Sequence, residues 1–262
     1  MSEVPELMPA ATVLLLRNGE SGVEVLMVRR NSEIAFGGMW VFPGGRVDDG
    51  DDLPDADRPA IGGRQESIEL VGVTASVAAE GEQARRIITP ARQAAVREVR
   101  EETGLQVESD SLVPWSYWVP PPLSVMARKG PPRRFATWFF AIEAPKGVVA
   151  IDHGEIHDDE WLTPALALTK QHNSEIELAP PTWITLWQLS RHDSVVSALG
   201  WARSGRPRFF RTRPLRRKPL TLAWGGDIAY ELDPEQHDVI GLDGARNRLT
   251  LDPDGWTYEF TS

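Results

Sequence analysis

The segment that most narrows what this chain can fold into is Arg97-Glu98-Val99-Arg100-Glu101-Glu102-Thr103-Gly104-Leu105. It closes a helix. Thr89-Pro90 supplies a hydroxyl N-cap and a proline for the first helical position, helix-forming residues continue through Thr103, and Gly104 provides the stop. Ala91, Ala94, Ala95 and Val99 form one apolar stripe, so the helix must lie on a packed surface. Glu98, Glu101 and Glu102 fall on the opposite side at i, i+3 and i+4, where their side chains converge. Carboxylates that close repel unless something positive sits among them. One solution is a hard divalent cation such as Mg²⁺ or Mn²⁺, which takes oxygen ligands and leaves positions for water and substrate phosphate. The other is a solvated acidic face balanced by Arg97 and Arg100.

Upstream, Ala11 to Leu16 and Val23 to Arg30 read as two strands joined by the turn Asn18-Gly19-Glu20-Ser21-Gly22. Phe36 to Gly45 then packs four glycines and a proline among aromatic residues, a sign of backbone held in special conformations. From Asp48 to Asp57 six of ten residues are Asp, which predicts an exposed insertion running to about Glu69, followed by one or two short helices up to Arg86. Beyond the Glu-rich helix, strands are expected at Leu112 to Val119 and Arg134 to Ile142. A short helix follows from Pro164, and a longer one spans Thr182 to Leu199 between Pro181 and Gly200. Strand-like segments close the chain at Pro219 to Trp224, Arg246 to Leu251 and Trp256 to Phe260.

Composition removes several classes of function. With no cysteine among 262 residues, thiol catalysis, thiolate zinc sites and disulfides are absent, and any metal must be held by oxygen or imidazole. A formal net charge of −10 argues against coating nucleic acid or an anionic membrane through bulk charge. The start of the chain lacks a basic region followed by a signal-peptide core, and a cytoplasmic location is expected. Against the acidic background, Arg203 to Lys218 carries eight positive charges in sixteen residues, which reads as a basic surface strand or loop or as a grip for an extra substrate phosphate. His153 and His157 read as surface residues.

Phe42-Pro43-Gly44-Gly45, the following aspartates, and Arg97-Glu98 with Glu101-Glu102-Thr103-Gly104 together resemble the signature of Nudix hydrolases. The pattern departs from the family in two places. Asp51 stands where the family has glutamate, and the spacer from Asp52 to Val96 is far longer than the family's seven residues. Such an insertion, at about 50–89, resembles that of the peroxisomal Nudix coenzyme A diphosphatase and its bacterial relatives. Arg133 to Phe140, Pro180-Pro181-Thr182 and Gly226-Asp227 through Tyr230 also look like that branch. An arginine-bearing stretch that often precedes Phe-Pro-Gly-Gly in these enzymes is matched by Arg29, Arg30, Gly38 and Phe42, with Ile34 in place of a second arginine.

The resemblance implies a Nudix-type α/β/α sandwich with a mixed sheet. Residues 1–262 would form a single domain, enlarged by the insertion and by a small C-terminal β extension at about 201–262. It implies a Mg²⁺- or Mn²⁺-dependent diphosphatase acting on a nucleoside diphosphate linked to another group, with coenzyme A or acyl-coenzyme A first. ADP-ribose, NADH and nucleotide sugars are the alternatives, as is a non-catalytic nucleotide sensor, although degenerate members typically lose the carboxylates retained here. By position, Glu98, Glu101, Glu102 and the Gly45 carbonyl are metal ligands, Arg97 orients Glu98, and the general base is Glu98 or Glu155, the latter six residues before Trp161. Arg30, Phe36, Trp118 and Arg134 are expected to bind substrate, Trp118 by stacking on a base. The partner is thus a small molecule, with neither nucleic acid nor membrane involved, and the protein a monomer or homodimer.

Overall fold

The computed structural model describes residues 6–31, 38–52, 68–121, 134–151, 153–233 and 240–261. The apolar runs at the start build the centre of a mixed sheet. Its strands are β1 (Leu7–Gly19), β2 (Gly22–Arg30), β3 (Trp40–Val41), β4 (Gly44–Arg46), β5 (Val113–Val119), β6 (Arg134–Glu143), β7 (Ile156–Leu162) and β8 (Arg208–Arg211). They run in the order β3-β2-β1-β6-β5-β8, with β4 on β1 and β7 on β2. The β1–β6 and β5–β8 pairs are parallel. One edge of β1 is shared: Leu16 to Gly19 pair with β2, while Ala10 to Thr12 pair with Gly44 to Arg46. That division carries the glycine pair onto the middle of the sheet.

Side-chain alternation along β1 splits the core into two layers. Val13 and Leu15 face one layer with Ala91, Ala94, Ala95 and Val99. Leu14 and Leu16 face the other, with Trp115, Trp183, Ile184 and Leu199. The first layer is covered by α1 (Ala78–Arg86) and α2 (Ile88–Thr103), the second by α3 (Pro164–His172), α4 (Pro180–Leu189) and α5 (Val195–Ser204). Among the described residues, no helix is long and apolar enough to cross a membrane.

Two expectations change. The Glu-rich helix begins at Ile88, not at Thr89-Pro90, because α1 runs into it through the single residue Ile87, whose amide is taken by the Gln83 carbonyl at 3.1 Å. Pro90 is tolerated within the first turn, where backbone N–H groups have no helical partner. The helix ends as expected, on Gly104 in the left-handed region at φ 71°. The long helix expected from Thr182 to Leu199 is two helices. Ser194 starts the second by accepting the Ser197 amide at 3.2 Å, and the Asn18 side chain accepts from Val195 N at 2.9 Å, so Gly200 lies inside α5. The acidic residues before Trp161 also join the sheet: Ile156 and Leu162, both buried, anchor them as β7 on β2.

The C-terminal strands β9 (Arg213–Arg217), β10 (Leu220–Ala223), β11 (Asn247–Asp252) and β12 (Gly255–Phe260) form a second, antiparallel sheet. Leu222, Trp224 and Leu249 join it to the Trp115 layer of the core.

Candidate active site

The glycine pair sets the site. Thr12 Oγ1 donates to the carbonyls of Phe42 and Pro43 at 3.0 and 2.8 Å, pinning the Phe-Pro-Gly-Gly segment to β1. At Gly44 a Cβ would fall 2.3 Å from the Ala11 carbonyl oxygen, and at Gly45 a Cβ would fall 2.2 Å from Glu98 Oε1. Glycine at 44 thus permits close packing of two strands, and glycine at 45 makes room for a carboxylate from α2.

Glu102 enters the same corner. Its Oε2 accepts the Gly44 amide at 2.8 Å, while its Oε1 is buried without a hydrogen-bond partner. The residue is only 3% exposed, and burial, with repulsion from Glu98 and Glu155, pushes its carboxyl up to about 7. Arg30, at the end of β2, offsets part of that cost: its Nη2 lies 3.5 Å from Glu102 Oε1 and 3.6 Å from Glu155 Oε2. Burial likewise raises the Glu98 carboxyl, against the opposing pull of Arg97.

Arg97 organises the outer side. Its Nη1 donates to Glu98 Oε1 at 2.8 Å and to Glu101 Oε2 at 3.2 Å, and its Nη2 to the Arg46 carbonyl at 2.9 Å. Nε and Nη2 form a bidentate pair with Asp51 at 3.1 and 3.0 Å, and this pairing, above all, raises the already high pKa of the guanidinium. Asp51 was read from the sequence only as a shortened stand-in for glutamate, yet it is the main anchor of Arg97. The available signal was its position in the motif.

The structure thus brings together Gly45, Arg97, Glu98, Glu101 and Glu102 with Arg30 and Glu155. Glu101 and Glu155 are the accessible members, with side chains 50% and 58% exposed. Among the described residues, no three acidic or imidazole groups are gathered closely enough to chelate an ion as the side chains stand. Arg97 and Arg30 instead bridge pairs of carboxylates. The donor chemistry nevertheless fits a hard cation: three carboxylates on one helix, one of their oxygens buried without a hydrogen bond, with Gly45 packed against Glu98.

Two expected substrate residues do not join this group. Trp118 is buried, its Nε1 donates to Ser116 Oγ at 2.9 Å, and its face is covered by Phe210 at a centroid distance of 4.0 Å, leaving no face for a base. Arg134 donates from Nε and Nη2 to the carbonyls of Pro121 and Pro120 at 3.1 and 3.0 Å. Phe36 lies outside the described residues, as does Asp152.

The NUDIX domain model matches residues 6–57 and 90–181, more than half of the chain. No curated protein matches the sequence significantly. Among solved structures, the chain is similar to a NUDIX hydrolase from Alicyclobacillus acidocaldarius, at 19% identity and a TM-score of 0.55 over 76% of this chain and 97% of that one. It is also similar to the NUDIX domain of Shewanella oneidensis NrtR in complex with ADP ribose (17%, TM-score 0.44, 71% and 87%). A third is a C. elegans Ap4A hydrolase in a binary complex (17%, TM-score 0.41, 71% and 96%). At 19% identity the likeness to the first of these concerns the fold. The two-part match contains Asp51, Arg97 and the glutamates of α2, and the chain belongs to the NUDIX domain family, hydrolases of pyrophosphate bonds.

Proposed function

We propose that the chain hydrolyses the diphosphate of a nucleoside diphosphate linked to another group, in a Mg²⁺- or Mn²⁺-dependent reaction on the α2 side of the glycine pair. The observation that carries this reading is Glu102 Oε1, a carboxylate oxygen buried without a hydrogen bond beside Glu98. Such an oxygen is costly in a purely structural role. Glu98, Glu101, Glu102 and the Gly45 carbonyl are the groups that would hold the metal. When bound, it neutralises the diphosphate and acidifies water.

The rest of the chemistry falls to this chain. Asp51 fixes Arg97, and Arg97 fixes Glu98. Water attacks one phosphorus, the bond from that phosphorus to the bridging oxygen breaks, and two monophosphate products leave. A carboxylate takes the proton of the attacking water: Glu98, which is held in place, or Glu155, which is exposed across Arg30. Arg30, already charged at the site, meets the substrate phosphates.

Coenzyme A or acyl-coenzyme A is the substrate favoured by the motif pattern, and ADP-ribose, NADH or nucleotide sugars are the competitors. Residues 1–262 act as one domain, with about 50–89 an insertion in the Nudix motif and the second sheet, within the extension at about 201–262, sharing the core. A panel of these substrates with Mg²⁺ and Mn²⁺, its products resolved by mass, tests the reading. Release of 3′,5′-ADP from coenzyme A supports it; AMP from ADP-ribose instead shifts the substrate. Binding without turnover overturns the hydrolase in favour of a sensor.

A further inference from the structure

The basic run from Arg203 to Lys218 resolves into arginines with dissimilar surroundings. Arg206 pairs with Glu69 at 2.6 Å, Arg211 with Glu80 at 3.3 Å, and Arg213 donates to the Tyr230 carbonyl. Arg208 has no such partner. Its guanidinium lies over the Phe260 ring, 4.2 Å from the centroid, and among the described residues neither a hydrogen bond nor a carboxylate engages it. Burial lowers its pKa.

A second arginine repeats the arrangement. Arg191, in the turn between α4 and α5, lies over Trp187 at 4.6 Å, also without a carboxylate among the described residues. Both arginines line one cleft of about 440 Å³, together with Trp187, His192, Trp201 and Tyr258. The cleft belongs to the Trp115 layer: Gln188 at its wall accepts from Trp115 Nε1 at 2.9 Å. The acidic site lies with α2, on the other face of the sheet.

The geometry points to a second site, a nucleotide-binding cleft between the α4–α5 turn and the strands β8 and β12. A guanidinium set against a ring leaves its N–H edge for an anion, and two such edges facing one cleft suit the oxygens of a phosphate. In a chain of net charge −10, these two cations stand apart from the many carboxylates available. Arg191 is exposed, but Arg208 is partly buried, and its charge without a partner is costly there, a cost that an incoming phosphate removes. Trp201, an indole 39% exposed, provides a flat apolar face for a base. His192, with Nδ1 3.0 Å from Ser197 Oγ, is lowered from its ordinary value chiefly by burial, so the cleft's charge resides in the two guanidiniums. The ligand class is therefore a phosphorylated compound with a flat ring. The site does not depend on the hydrolytic reading above.

The test is calorimetric titration of AMP, adenosine and inorganic phosphate into the full chain in EDTA, which silences metal-dependent binding at the acidic site. Saturable AMP binding is expected, weakened at least about 10-fold by Arg208→Met or Arg191→Met, and unchanged by Glu102→Gln. Adenosine and phosphate alone should each bind at least about 10-fold more weakly than AMP. Arg191 lies in a turn, so its variant reports even where Arg208→Met fails to fold. The proposal is overturned by an absence of saturable AMP binding, by equal affinity in the folded arginine variants, or by adenosine binding as tightly as AMP.

Discussion

Arg97 grips Asp51 through hydrogen bonds of 3.1 and 3.0 Å, and its remaining nitrogen holds Glu98 at 2.8 Å. Asp51 sits in a tight helical turn, Asp49–Asp52, where its amide donates to the Asp48 carbonyl at 2.9 Å and its Oδ2 accepts the Asp48 amide at 2.8 Å.

Asp51→Ala should therefore uncouple the turn from α2. A hydrogen-bonded charged group of this kind contributes about 1.5–3 kcal/mol, and urea unfolding should register a loss of that order. Because Asp51 acts through Arg97, kcat should fall about 10- to 100-fold while KM changes little. A fall in KM-dependent binding alone would count against the chain of contacts from Asp51 to Glu98.

Glu102→Gln and Glu101→Gln should each lower metal-dependent turnover by more than about 100-fold, beyond the effect usual for groups outside the ligand set. Circular dichroism should be unchanged. Unaltered turnover in both variants would remove α2 from the reaction.

Gly44 and Gly45 should respond differently to alanine. At Gly44 the new Cβ meets the backbone carbonyl of Ala11 at 2.3 Å, which neither strand can relieve, so the fold should lose stability. At Gly45 it meets only the end of the Glu98 side chain at 2.2 Å, so Gly45→Ala should melt near the wild type and lose activity. Comparing thermal midpoints with kcat in the two variants checks the distinction.

Stability without metal should depend on pH through Glu102. Its folded pKa is raised from 4.5 to about 7, so the stability linked to its protonated form is fully present below pH 4.5 and is lost as pH rises through 7. A displacement of that size corresponds to about 3 kcal/mol. Urea midpoints in EDTA should fall across this window, and Glu102→Gln should flatten the slope. An equally steep slope in the variant would place the titration elsewhere.

How much of this was legible depends on whether a feature is local. The α2 stripe and the Gly104 stop follow from periodicity and capping, which adjacent residues set, whereas Glu98 and Glu102 do not lie opposite the stripe as expected but are buried alongside it. The reach of Asp51 to Arg97 spans 46 positions and depends on a turn that composition marked only as acidic. Trp118 was read as a stacking platform because aromatic residues suit bases, but β5 carries it into the inner layer, where Phe210 takes its face. The break between α4 and α5 was missed because Ser194 works as a cap only once Asn18, from a distant turn, accepts the Val195 amide.

The C-terminal sheet rests on an ion pair that gives the last prediction. Arg248, 2% exposed, donates from Nη2 and Nε to the buried Asp227 carboxylate at 2.5 and 2.7 Å, and Asp227 also accepts the amides of Asn247 and Ala229 at 3.0 and 2.8 Å. Arg248 and the two amides hold the Asp227 carboxyl below its ordinary value against the opposing cost of burial. Removing one partner leaves a buried charge alone, so Arg248→Met or Asp227→Leu should each cost about 3–5 kcal/mol. The double variant should recover much of that loss, since an apolar pair requires no compensation. The pair's stabilisation is present above the ordinary aspartate value of 3.8 and disappears as pH falls through the lower folded value, so acid should loosen this sheet. Hydrogen exchange of the Asn247 and Ala229 amides, followed from neutral pH to pH 3, reads the effect directly. Protection that survives in Asp227→Leu at neutral pH would mean that the sheet is held by its apolar contacts alone.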